Sequence, residues 1–239
     1  METYQRELSL VGDYYKRTVA VFADIEKEAE KYADQLFENY PGNEDTDPAF
    51  VADFAGDKML EKYEALSLMK SNHLLMTISM LYHMWEQQLI RFTIREMKQY
   101  FFFERKEMPL THVQIIFRLH EVDILKTRAW TKLRELKALV NTIKHGDGDS
   151  ADKLRKIRPD FFKVHMFDGS ELHIIEETDT LELCESALFG EFALQVSEGD
   201  LHDYINAAKG FWDEFPEMAH SNKELLIKEL NNASKQTDL

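Results

Sequence analysis

A chain of 239 residues, 44% hydrophobic and 31% charged, can bury a sizeable core and is too apolar to remain disordered. Its formal net charge of −15 excludes a protein that coats nucleic acid or an anionic membrane over its whole surface, while leaving room for a local basic site. The single cysteine, Cys184, excludes an internal disulfide and the usual zinc ligand sets, and favours a reducing compartment.

The first ten residues, METYQRELSL, are charged throughout and lack the apolar stretch of a signal peptide. From Asp13 to about Asn39 the spacing of Val19, Phe22, Ala29, Ala33, Leu36 and Phe37 predicts an amphipathic helix, stopped by Tyr40-Pro41-Gly42. An acidic loop follows, and Asp47-Pro48 is a helix start, since Asp caps free amides and proline is pre-set for the first turn. Between Phe50 and Glu107 there is no proline and one glycine, Gly56, which predicts a short helix to about Ala65 and a long one to about Phe103. The long one is apolar nearly all round, as expected at the centre of a bundle, and Met76, Met80 and Met84 are expected to fill its core. Its most apolar run, Leu74 to Trp85, is too short for the roughly 20 residues a bilayer needs, so the chain is read as cytoplasmic with no membrane partner.

Met108-Pro109-Leu110-Thr111 begins another helix, with Val113, Ile116, Phe117 and His120 on its face, and a further one is expected from about Thr127 to Lys144. After Gly146 the Asp-Gly-Asp-Ser turn is expected to cap a short helix, Ser150 to Ile157, ended by Pro159. The period then changes to that of strands. Lys163 to Phe167 and Glu171 to Ile175 flank an Asp168-Gly169 turn and predict a hairpin, with a further short strand near Phe192 to Val196. Helices are expected again over Asp200 to Phe215 and Asn222 to Leu230, before a polar tail. The whole reads as mainly α: one helical domain over 1–239, with a helical bundle core over 13–158. A β-hairpin and irregular insertion occupy 160–198, and C-terminal helices over 200–230 pack on the core.

The densest group of chemically useful side chains lies between Leu133 and Gly148. Leu133, Leu136, Val140 and Ile143 form a core face, and Arg134, Lys137, Asn141 and His145 line a neighbouring stripe. Asn141 and His145 are one turn apart and can act on one ligand. From Lys126 to Lys163 there are eleven Lys and Arg against five acids, a charge of +6 that leaves −21 for the remainder.

Asn141-Thr142-Ile143-Lys144-His145-Gly146, near the end of a long helix, resembles the signature of the HEPN superfamily. Its members are helical bundles, many of them metal-independent ribonucleases of toxin–antitoxin and antiphage defence systems, and they usually dimerise. The motif is an arginine, a polar residue, three variable residues and a histidine. Asn141 falls on the polar position, His145 on the histidine, and Val140 on the arginine.

The resemblance implies RNA or nucleotide engagement with His145 and Asn141 as catalytic residues. It extends to metal-independent RNA cleavage, with a homodimer and an antitoxin or other protein as partners. Metal-free cleavage needs a base for the 2′-hydroxyl and an acid for the leaving oxygen, for which histidine is suited, and fixed donors for the phosphate. Since valine is no donor, Arg134, Lys137, Lys144, Arg155 and Arg158 are the candidate substrate-binding residues. The alternative is a non-catalytic HEPN-like dimerisation or interaction module, or a helix end merely capped by Asn141 and His145.

No cofactor or metal is expected. Of the nine histidines, only Glu217 to His220 has the Glu-x-x-His spacing of di-iron bundles, and His83 with Glu86 has it reversed. His165 and His173 are expected on opposing hairpin strands. The glycines near 146 lack the lysine of a phosphate loop and the later ligands of a calcium loop, and no Gly-x-Ser-x-Gly occurs.

Overall fold

The computed structural model describes residues 1–43, 46–98, 108–119, 122–167, 174–179, 181, 187–188 and 194–215. The fold is mainly α. In chain order it comprises α1 (Glu2–Thr18), a 3-10 turn (Val19–Phe22), α2 (Ile25–Glu38), α3 (Pro48–Met97), α4 (Leu110–Leu119), α5 (Trp130–His145) and α6 (Asp149–Ile157). A second 3-10 turn at Ile124–Lys126 precedes α5, and a third at Pro159–Phe162 precedes the strands β1 (Lys163–Phe167) and β2 (Ile174–Asp179). A further helix, α7, covers 198–215.

Two compact units share these elements. One holds Met1–Asp13, Thr77–Val140 and Glu198–Leu239, the other Tyr14–Met76 and Asn141–Ser197. The chain therefore changes unit within α1, α3 and α5.

In the first unit the core is aromatic. Trp85 and Phe92 of α3 meet Phe211, Trp212 and Phe215 of α7, and Phe117 of α4 stacks on Phe92 with centroids 6.3 Å apart. Such ring pairs add to the burial term because ring edges and faces carry opposite partial charge. One polar junction is fully used. Gln88 donates to the Tyr4 carbonyl at 3.1 Å and to Glu7 at 2.9 Å, and accepts from Trp212 Nε1 at 3.0 Å. A buried amide left unpaired would be costly, so this junction fixes the register of α1, α3 and α7.

In the second unit α2 runs antiparallel to the first part of α3. Glu28 meets Lys62 at 3.0 Å, while Tyr40, after α2, lies 5.7 Å from Phe54 between ring centroids. Further along, His73 stacks on Tyr15 at 5.5 Å and shares a 2.7 Å hydrogen bond with Thr18 Oγ1. Elsewhere in this unit Ala151, Leu154, Phe161 and Phe162 are buried, and the Gln195 amide donates to the Phe161 carbonyl.

Several expectations are corrected. The first helix starts at Glu2, not near Asp13, because Leu8, Val11 and Tyr15 already make a buried face. It ends at Thr18, whose hydroxyl bonds back to the Tyr14 carbonyl, so 13–39 is two helices and a 3-10 turn. The two helices expected after Asp47 are one α3 of 50 residues. Asp47 does cap it, accepting from the Ala49 amide at 2.9 Å. Gly56 lies within it and costs about 1 kcal/mol relative to alanine, too little to break so long a helix.

At 1.5 Å per residue α3 is about 75 Å long, and its neighbours leave some of its apolar positions uncovered. Its methionine stripe accordingly shows on the surface instead of filling the core, with Met76 55% and Met80 36% exposed and Met84 half-buried.

β1 pairs antiparallel with β2, Lys163 opposite Asp179 and His165 opposite Glu177, with a register shift before Phe167 opposite Ile174. Of the second strand expected over Glu171 to Ile175, Ile174 and Ile175 lie in β2, which runs on to Asp179, and Glu171 to His173 lie outside the described residues. Residues 194–196 are not a strand. The Asp168-Gly169 turn, His173, Cys184, the Glu217–His220 pair, the helix expected over 222–230 and the tail lie outside the described residues. Within the described residues no helix is long and apolar enough to cross a membrane.

Candidate functional site

The carboxyl end of α5 is built as its sequence dictates. Leu136, Leu139, Val140 and Ile143 are buried, so the opposite side must face water. His145 and Lys144 are exposed in the last turn, and Asn141, one turn earlier, is half-exposed. Gly146 has φ 70°, and its amide donates to the Thr142 carbonyl at 2.9 Å, closing the helix in the left-handed conformation that glycine adopts without penalty. No hydrogen bond or ion pair to another described residue occupies the side chains of Asn141, Lys144 or His145.

Val140 is only 2% exposed. An arginine there would have to place its guanidinium in the core, which explains in physical terms why this position supplies no phosphate donor.

The proposed substitutes divide sharply. Arg155 of α6 is saturated by carboxylates: Nε and Nη2 donate to the two oxygens of Asp179 at 2.7 and 3.2 Å, and Nη1 donates to Asp147 at 2.8 Å and Asp152 at 3.0 Å. It also lies over the ring of Phe162 at 4.9 Å. The bonds to Asp179 first, and then Asp147, hold this guanidinium above its ordinary pKa against the opposing effect of burial. Arg158 donates through Nε and Nη2 to Asp160, the shortest at 2.7 Å, and stacks on Phe161 at 3.8 Å. Both arginines, named as candidate ligands, are thus ion-paired to aspartates within the fold, and a phosphate would have to compete with those carboxylates.

Earlier on α5, Arg134 is exposed and Lys137 half-exposed, with no ion pair to another described residue. Lys132 of the same basic run is committed to the fold. It meets the buried Glu135 at 2.8 Å and lies over the Tyr204 ring, while Tyr204 donates to Glu135 at 2.8 Å. This pairing was legible only in part, because the three-residue spacing of Lys132 and Glu135 does not reveal the third partner on α7.

The other clusters offer less. Glu86 accepts from Tyr82 at 3.0 Å and lies 3.8 Å from His83, all on one turn of α3. Among the described residues no group of three or more His, Cys, Asp or Glu is arranged to hold a metal ion. No protein-family model matches the chain, and no curated protein or solved structure matches it.

Proposed function

We propose that the chain is a HEPN-like helical protein that engages RNA or nucleotide phosphate through the exposed end of α5, with Lys144 as a cationic contact and His145 and Asn141 as hydrogen-bonding ones. The observation that carries this reading is the sorting of the basic segment. Arg155 and Arg158 are spent on aspartates, whereas Lys144 and His145 sit exposed with no ion pair to another described residue. The carboxyl end of a helix presents carbonyls and not free amides, so the phosphate would be held by side chains.

The buried Val140 favours binding without cleavage, since this position carries no donor for a transition-state phosphate. A fluorescent single-stranded oligoribonucleotide titrated against the protein tests both points. Binding that weakens with salt, with a slope near −1.4 to −2 for two or three phosphate contacts, is expected. Lys144→Glu and His145→Ala should each weaken it about tenfold, and the oligonucleotide should remain intact. Equal affinity for parent and variants would overturn the assignment, and His145-dependent cleavage would restore the ribonuclease reading.

A further inference from the structure

We propose that the antiparallel arm formed by α2 and the first part of α3 is a docking surface for a basic amphipathic helix of a partner protein. The arm lies within one compact unit and is under-buried for its composition. In α2 only Ala29 is buried, although a 14-residue helix draws most of its stability from a covered apolar face. On α3, Met59, Leu60 and Tyr63 are all exposed, Leu60 by 55%, and their spacing places them on adjoining positions of the helix surface. Phe37 and Tyr32 of α2 are exposed as well. Exposed apolar side chains at adjoining helix positions, set among charges, suit the docking of an amphipathic helix.

Charge selects the occupant. From Asp24 to Glu64 the chain has thirteen carboxylates against four lysines, a net charge of −9. Lys27, Lys58 and Lys62 are each paired within the arm, with Asp24, Glu61 and Glu28. Glu30, Asp34, Asp53, Asp57 and Glu64 are exposed with no ion pair to another described residue. An apolar strip rimmed by uncompensated carboxylates matches a helix with leucine-type residues on one side and lysines or arginines beside them. A second copy of the same arm would bring another −9 against it, and like charges apposed in an interface are penalised.

The test uses the full chain and a labelled synthetic Leu/Lys helix of about five turns. A scrambled peptide of the same composition and a Leu/Glu helix serve as controls, and sedimentation reports self-association. The proposal expects the Leu/Lys helix to bind in a salt-dependent way, at least tenfold tighter than the scrambled peptide. Leu60→Gln, and separately Met59→Gln with Tyr63→Gln, should weaken it tenfold or more while leaving the far-ultraviolet circular dichroism of the protein unchanged. Equal binding of the scrambled peptide, indifference to these substitutions, or self-association abolished by Leu60→Gln would each overturn it, the last by making a second copy the occupant.

Discussion

Gly146 and Val140 set what the end of α5 can do. Gly146 at φ 70° ends the helix directly after His145 and so leaves that imidazole in the terminal turn. Replacing Gly146 by alanine should cost about 1–2 kcal/mol, the penalty of a Cβ in the left-handed region, read as a fall in urea midpoint.

A second residue-scale prediction concerns Tyr82. Burial, and then the charge and hydrogen bond of Glu86, raise its phenol pKa above the ordinary value. The folded state thus holds this proton more tightly than the unfolded chain. Its contribution to stability is complete below about pH 10 and is lost as pH rises beyond that, by up to about 1.4 kcal/mol per unit. Tyr82→Phe should flatten the alkaline limb of stability against pH between about 9 and 11, and an unchanged limb would show that Tyr82 ionises equally in both states.

Among the elements, Arg155 joins α6 to β2 and to the turn after α5, because one guanidinium serves Asp179, Asp147 and Asp152 together. Arg155→Ala should cost about 1–3 kcal/mol, the range for hydrogen bonds to charged groups, and Arg155→Lys should recover only part of it because an ammonium lacks the fork that spans both oxygens of Asp179. Chemical denaturation of the two variants checks this, and equal stability of parent and Arg155→Ala would show the cluster to be solvent-screened.

Legibility followed the range of the interaction. The buried faces of α4 and α5, the Asp47 cap and the helix stop at Gly146 are local patterns, and they were readable from Val113, Leu133, Leu136 and Ile143 alone. The start of α1 was also written in the spacing of Leu8, Val11 and Tyr15, but the charges between them masked it. The loss of Arg155 to Asp179, twenty-four residues away, depends on the chain returning through β2, and no local spacing shows it. The exposure of the Met76 and Met80 stripe has a related cause: periodicity marks an apolar face, but only the supply of neighbours decides whether that face is covered.

For the molecule as a whole, the charge distribution matters more than its sum. The formal charge is −15, yet −9 of it lies between Asp24 and Glu64, and the segment from Lys126 to Lys163 is +6. The field is therefore uneven enough for one region to attract a polyanion while another attracts a polycation. The two proposed surfaces separate on this basis, since added salt weakens both while Lys144→Glu and Leu60→Gln should each affect only one.

The most direct test of phosphate engagement at the end of α5 follows the His145 imidazole by nuclear magnetic resonance during titration with a single-stranded oligoribonucleotide. The His145 ring resonances should shift saturably, and 0.5 M salt, which shortens the screening length to roughly 4 Å, should reverse the shift. Resonances of His145 that stay in place while the oligonucleotide binds elsewhere, or no binding at all, would contradict the proposed engagement.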